Sequence, residues 1–329
     1  MSTLSTPHLD DPPRSVIACD DSPRAASPLR KLLSQTLRAT LGQSESPRVR
    51  LLLRNHLRKL CDARELPVQT KWGFRMLASP RDYASFGIYF FGEYDPRMSA
   101  VIRRYVQPGD TAWDLGAERG WFALLMASRV GPMGRVDAFE PFPVSAQRLQ
   151  RNANLNGMHW LHTHEAAAGR SHTTGHFEPP SPDAADHEAF LDHCSGVGYL
   201  ANAPADHRLE VPVLPLDEHA DAINLKRLDF VKLDIEGGEP DALLGMTQTL
   251  KRHKPMLAVE YNRATLRRAG SSLQHLDDLL DRLGYNRFAY RHGRFTPVNL
   301  HEAADKPDTH AVFNVYAFHR HGHHRPQPR

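Results

Sequence analysis

Two short stretches concentrate the side chains able to do chemistry. The first, TAWDLGAERGWF at residues 111–122, runs from an apolar segment through Asp114, Gly116, Glu118 and Gly120 into a second apolar segment. Glycines at 116 and 120 let the backbone take positive φ and pass close to a ligand, and the helix that follows opens with free N–H groups. Asp114, at the end of the apolar segment, can fix a cationic or hydroxyl group. Twenty residues beyond Gly120, Glu140 closes another apolar run, VDAFEP. A carboxylate there suits the two hydroxyls of a ribose, each charge-assisted hydrogen bond contributing roughly 1.5–3 kcal/mol. The ligand is therefore expected to contain a nucleoside.

The glycine spacing separates the two cofactor types that use this geometry. A dinucleotide needs GxGxxG, whose second glycine admits the pyrophosphate, and this chain has Ala117 at that place. Glu118 inside the turn would also repel a pyrophosphate. A sulfonium ligand with an amino-acid head carries no phosphate and offers an ammonium to nearby carboxylates, so S-adenosylmethionine is the expected cofactor.

The second stretch, FVKLDIEGGEPDAL, sets Asp234, Glu236 and Glu239 at the end of an apolar run and the start of a helix. Glu239, next to Pro240, reads as an ordinary helix start, where a carboxylate also favours the helix dipole. Asp234 ends a run expected near the centre of a sheet and is read as a cofactor or substrate contact. Glu236 precedes two glycines in a turn that opens toward the same pocket. Glu260, closing PMLAVE, stands on the same rim and is equally consistent with function or with solvent exposure.

The elements that must position these residues follow from periodicity. Strand patterns (TAWDL, RVDAFE, WLHTHEA, LDFVKLD, PMLAVE) alternate with helical ones (WFALLMASRV, PVSAQRLQRNANLNG, EPDALLGMTQTLKRHK) between about residues 100 and 318. Such alternation predicts a doubly wound α/β sheet, whose ligands sit at the carboxyl ends of the strands. After the helix pattern LQHLDDLLDRLGY, NRFAYRHGRF and AVFNVYAF remain, one of them expected as an antiparallel edge strand.

Residues 1–28 are rich in Ser, Pro, Asp and Arg and are expected to be a disordered tail; 29–100 form an N-terminal helical cap region, with leucines at helical spacing in PLRKLLSQTLRATL and RVRLLLRNHLRKL; 101–318 are the ligand-binding domain; 319–329 are a His- and Arg-rich tail expected without structure. The span 178–210 is longer than a strand connection needs and is expected to be a loop, of the kind that acts as a lid or substrate surface.

At 329 residues, 40% apolar and 24% charged, the chain can bury a large core, which sets aside disordered and membrane classes. A formal charge of +3 does not demand a polyanion. The three cysteines form no CxxC pair and suggest neither a disulfide framework nor a zinc module. No apolar run is long enough to span a membrane, and no signal peptide is evident, so a cytoplasmic protein is expected.

These motifs, in order, resemble the FkbM family of S-adenosylmethionine-dependent methyltransferases, from FGIYFFGEYDP at residues 86–96 to Tyr261. GDTAWDLGAERGWFALLMA is similar to the family's first strand and cofactor turn, FEPFPVSAQRLQRNANLNG to its second strand and helix with Asn152 and Asn156, and VLPLDEHA with FVKLDIEGGEPDALLGM to its later signature. The resemblance implies a seven-stranded class I methyltransferase (Rossmann-like) sheet with helices on both faces and an antiparallel last strand, and O-methylation as the usual activity. It implies that Asp114, Gly116, Ala117, Glu118 and Gly120 surround the methionine part, that Glu140, followed by Pro141, holds the ribose, and that Ala166 or Ala167 lies near adenine. Tyr94, Asp95 and Glu260 are the candidate substrate contacts. The chain departs from the family at Glu118, usually Asn, and at Asp95, usually Glu.

The expected chemistry is in-line transfer of a methyl group to a hydroxyl of a sugar, glycan or other small molecule, with Asp234 and Glu236 the candidate catalytic carboxylates and no metal. His193, beside Cys194 and Ser195, is one histidine of 20 and is read as incidental. No DNA partner is expected, since no Asn-Pro-Pro-aromatic string follows a strand. An RNA methyltransferase or a non-catalytic binder of the same fold are the alternatives.

Overall fold

The computed structural model describes residues 28–41, 61, 64–80, 83–179, 198–201, 203–298 and 312–326. Helix α1 (Pro28–Leu41) matches the first leucine-spaced segment; the second, RVRLLLRNHLRKL, lies outside the described residues, as do residues 1–27. A hairpin of β1 (Leu66–Gln69) and β2 (Arg75–Ala78) then precedes α2 (Tyr83–Phe91) and α3 (Pro96–Tyr105). The cap region is thus not helical throughout: LPVQTKWGFRMLA alternates apolar and polar side chains about Gly73, whose φ of 90° makes the turn.

The chain continues as β3 (Thr111–Leu115), α4 (Trp121–Val130), β4 (Arg135–Phe139), α5 (Pro143–Leu155), β5 (Leu161–His164), β6 (Ala167–Ala168), β7 (Thr173–Glu178), β8 (Tyr199–Ala201), β9 (Leu209–Leu214), α6 (Leu216–Ala222) and β10 (Phe230–Leu233). It ends with α7 (Glu239–Gly245), α8 (Thr247–His253), β11 (Met256–Asn262), α9 (Arg263–Arg268), α10 (Leu273–Arg282), β12 (Tyr285–Arg291), β13 (Arg294–Pro297) and β14 (Val312–His319).

The main sheet has eight strands in the order β13-β12-β14-β11-β10-β3-β4-β5. Strands β5, β4, β3, β10 and β11 are parallel, while β14 is antiparallel to both of its neighbours, β11 and β12. The last strand is therefore reversed as the family resemblance implies, but it is an interior strand; the edge is β13, an eighth strand that the seven-stranded expectation lacks. His292 and Gly293, at φ 50° and 79°, turn β12 into β13.

β3 and β10 are buried along their whole length, which is why they read as apolar runs. Ala112, Val136, Phe230 and Met256 pack under α3, α4 and α5; Trp113, Val231 and Leu257 pack under α6 to α10. Going outward from β3, the chain runs to β4 on one side and returns at β10 on the other, so the crevice of the switch point opens at the carboxyl ends of β3 and β10.

Three further expectations are corrected. The helix expected across 239–254 is two helices, broken at Met246, whose backbone (φ −123°, ψ 22°) leaves the helical region; the preceding Gly245 packs so close to Gly169 that a Cβ there would stand 1.9 Å from the Gly169 carbonyl oxygen. The span 178–210 begins and ends in strands: β7, β8 and β9, with β6, form a second sheet in the order β6-β9-β7-β8, while 180–197, including His193, and 202 lie outside the described residues. Residues 319–326, expected as an unstructured tail, pack against the body: the Tyr105 hydroxyl donates to the Arg325 carbonyl at 3.0 Å, and Arg325 Nη1 donates to the carbonyls of His319 and Arg320. Among the described residues no helix is long and apolar enough to cross a membrane.

Candidate active site

The turn after β3 takes the left-handed backbone three times, at Gly116 (φ 77°), Glu118 (φ 50°) and Gly120 (φ 93°). The amides of Gly116 and Ala117 donate to the Phe139 carbonyl at 3.0 and 3.1 Å, fastening the turn to the end of β4. Gly116 is obligatory for a second reason: a Cβ there would lie 1.9 Å from the Asp234 carbonyl oxygen. The ends of β3, β4 and β10 therefore meet at one point. Glu118 tolerates positive φ because its amide donates to Glu140 Oε2 at 2.8 Å, and its carboxylate lies 3.4 Å from Arg119 Nε.

Glu140 closes β4 with only 7% exposure. Its Oε1 accepts the Phe142 amide at 2.9 Å, so the carboxylate is clamped between the turn and the start of α5 with lone pairs left for a ligand. Burial, only partly offset by the two amides, pushes its pKa up to about 7. Beside it, the His164 carbonyl accepts both the Glu140 and Ala166 amides, which brings the buried Ala166 and Ala167 to the same rim; Pro141, next in the chain, is half-buried. The second motif asparagines brace this rim: Asn152 Oδ1 accepts the Leu77 amide and its Nδ2 donates to the Arg119 carbonyl, while Asn156 Oδ1 accepts the Arg75 amide.

Asp114 does not face the ligand space as a free carboxylate. It is wholly buried and pairs with Lys232, whose Nζ stands 3.3 Å from Asp114 Oδ1, 3.3 Å from Asp234 Oδ2 and 3.2 Å from the Gly116 carbonyl oxygen. Lys232 is opposite Asp114 in the β10–β3 register, and Asp234 follows two residues on, so the three share one face of the sheet. Against the cost of burial, the two carboxylates hold the Lys232 ammonium well above its ordinary pKa, and Asp114, buried beside it, is raised despite the lysine. Sequence reasoning missed Lys232; the signal was a lysine inside an apolar strand with acids at the second and fourth positions after it.

Glu236 and Glu260 adjoin Asp234. Glu236 sits at φ 56°, and burial first, then the Asp234 charge, pushes its pKa up to about 8. Burial and the Asp234 charge likewise hold Glu260 well above the carboxylate range. Glu239 turns back instead to accept the amides of Ile235 and Gly237, the local structural role expected of it. Arg268 donates to the Glu236 carbonyl at 3.1 Å and lies 3.6 Å over the Tyr199 ring, which joins β8 to the site. Tyr94 packs on Phe122, and the face of Phe122 carries Lys232 Nζ at 5.3 Å. Asp95 caps α3, its Oδ1 accepting the amides of Arg97 and Met98 at 3.0 Å.

A parallel sheet with a reversed interior strand, a glycine turn after its first strand and a buried acid after its second define a class I, nucleoside-binding methyltransferase fold. Residues 114–287 match the Methyltransferase FkbM domain, and the chain belongs to the FkbM methyltransferase family. It is 29% identical over 144 residues to "Methyltransferase 1" of Beauveria bassiana (strain ARSEF 2860), a stretch covering 40% of this chain and 57% of that protein. The chain thus spans little more than half the length of that curated relative. Among solved structures it is similar to methyltransferase FkbM from Methylobacillus flagellatus KT (19% identity, 87% of this chain and 58% of that chain, TM-score 0.38) and to the O-methyltransferase from Bacillus cereus in complex with SAH (11% identity, 88% and 98%, TM-score 0.38).

S-adenosylmethionine is the cofactor of this family, and the residues present fit it. Glu140 offers desolvated oxygens for a diol, Gly116 leaves no side chain between the turn and β10, and the donor set near the crevice is anionic, suited to a cation and hostile to a phosphate.

Proposed function

We propose that the chain transfers a methyl group to a hydroxyl oxygen of a small molecule or glycan. The observation that carries this reading is the clustering of Asp234 and Glu236, just past β10, with Glu260 in the last half of β11, Asp234 lying directly against the Gly116 turn. In this reading Glu140 and Pro141 hold the ribose, Ala166 and Ala167 flank adenine, and the 116–120 turn with Asp114 behind it surrounds the methionine part. When bound, S-adenosylmethionine supplies an electrophilic methyl carbon on a positively charged sulfur.

The chain's own residues then have two tasks. One is alignment of the acceptor oxygen with that carbon, a positioning effect that supplies roughly 7–11 kcal/mol. Tyr94, 43% exposed at the mouth, and Asp95 below it are the candidate acceptor contacts from the N-terminal side. The other task is removal of the hydroxyl proton, for which Asp234 or Glu236 is the acceptor. Burial pushes the Glu236 pKa up to about 8, so its ionised form is a stronger base than a carboxylate in water.

The test is calorimetry with SAH, followed by incubation of the full chain and host extract with donor carrying a labelled methyl group. The expected results are binding of SAH, its loss in Glu140→Ala, and label on a hydroxyl-bearing small molecule that Asp234→Ala no longer produces. Absence of SAH binding to the folded wild-type protein refutes the reading.

A further inference from the structure

Asp234, Glu236 and Glu260 each offer a carboxylate oxygen, and these oxygens all lie within 4.8 Å of one another. Two cationic side chains adjoin them, and both are shared. Lys232 Nζ is as close to Asp114 as to Asp234, at 3.3 Å in each case. Arg268 Nη2 is 3.8 Å from Glu236 Oε2, while the same nitrogen donates to the Glu236 carbonyl at 3.1 Å. Glu260 has no ion pair among the described residues. Two positive charges thus serve four carboxylates.

A solvated acidic patch would turn all its oxygens to water; here Asp234, 33% exposed, meets solvent, while the two glutamates turn an oxygen inward. The Glu236 side chain is 10% exposed, and its Oε2 is fully buried with no hydrogen bond; Glu260 Oε2 is buried and without a hydrogen bond as well. The left-handed backbone at Glu236 and the amides held by Glu239 fix the direction of that side chain, so the cluster is built and not a chance of rotamers. A second cluster of metal-ligating residue types among the described residues shows the contrast. Asp137 lies with His164 and His219, but Arg135 already spans both of its oxygens at 2.7 Å, which completes that group as an ion pair.

We propose that Asp234, Glu236 and Glu260 form a site for one hard divalent cation, Mg²⁺, Mn²⁺ or Ca²⁺, at the acceptor side of the crevice. The donor set is all oxygen, without thiolate or imidazole, which suits these ions and not zinc or copper. Three carboxylates leave coordination positions open, and hard cations fill such positions with water or with ligand oxygens. The acceptor class that follows is one with two adjacent oxygens, such as a vicinal diol or a hydroxyl beside a carbonyl, able to replace two waters. This narrowing of the acceptor rests on the methyl-transfer reading; the cation site does not.

The experiment is a Mn²⁺ titration of the chelator-treated full chain, with free ion read by electron paramagnetic resonance and SAH binding measured on the same preparations. The expected result is one Mn²⁺ per chain bound more tightly than about 1 mM, weakened at least about tenfold in Glu260→Gln and unchanged in His219→Gln. Glu236→Gln supplies the same comparison should Glu260→Gln not fold, thermal unfolding being recorded for each. No bound Mn²⁺, equal affinity in the glutamine variants, or loss of binding only in His219→Gln overturns the site. SAH binding without Mn²⁺ binding defeats the cation alone; Mn²⁺ binding without SAH binding defeats the methyl-transfer reading and leaves the cation standing.

Discussion

Replacing Lys232 with methionine tests whether the centre of the site is held by charge or by shape. The lysine side chain is 2% exposed and Asp114 is 0% exposed, so methionine keeps most of the volume but strips the buried carboxylate of its counter-charge. At 3.3 Å and an effective dielectric near 20, each Lys232–carboxylate contact is worth about 5 kcal/mol before desolvation. Breaking one partner out of such a pair leaves a net loss of about 3–5 kcal/mol. For a domain of this size that lowers the unfolding temperature by roughly 6–20 °C, measurable by scanning calorimetry at pH 7. Burial already raises the Asp114 pKa, and without the lysine it rises further, so protonation at lower pH relieves the charge and the defect shrinks as pH falls. Asp114→Asn in the Lys232→Met background removes the stranded charge and recovers most of the loss, a coupling of at least about 2 kcal/mol. A single variant that melts within about 2 °C of wild type, or a double variant no better than the single, refutes the ion-pair account.

Gly116→Ala abolishes SAH binding and destabilises the fold, since its Cβ would stand 1.9 Å from the Asp234 carbonyl, whereas Gly157→Ala, at φ 63° in open space, costs only the roughly 1–2 kcal/mol of a left-handed alanine and keeps binding by calorimetry. Because Glu140 in the fold titrates near 7 and not near 4.5, the folded state holds its proton more tightly than the unfolded chain; its contribution is full below about 4.5 and is lost as pH rises through 7, amounting to about 3 kcal/mol. Urea midpoints at pH 5 and pH 8 should therefore differ less in Glu140→Gln than in wild type, and an equal difference removes Glu140 as the cause. Asn152→Ala strands the Leu77 amide and the Arg119 carbonyl at a site 1% exposed, costing about 1–3 kcal/mol in urea unfolding and weakening SAH binding through the turn; unchanged affinity would show that the turn holds itself.

What the sequence reveals of this site follows from how each residue is placed. β3, β4, β10 and β11 are buried on both faces or nearly so, and Glu140 stands where a strand end meets the next helix; both are statements about local pattern, and both are visible in one dimension. The β1–β2 hairpin is masked by its short strands and by the helical leucine spacing on its N-terminal side, and the need for glycine at 245 comes from Gly169, far away in the chain. The convergence of carboxylates is a property of register. Leu233 lies opposite Val259 in the parallel pair, so continuing the ladder by one residue sets Asp234 beside Glu260, and strand alternation puts Lys232 on the same side, while the left-handed turn past the strand brings Glu236 to them. Periodicity predicts that β10 and β11 exist but not their alignment, and a slip of a single residue would turn Glu260 to the opposite face of the sheet. The number of acids on the acceptor rim is therefore fixed by backbone pairing. For that reason the charge imbalance at Asp234, Glu236 and Glu260 becomes apparent only in three dimensions, although Asp234 and Glu260 read as strand-end acids and Glu236 as a turn acid in the sequence.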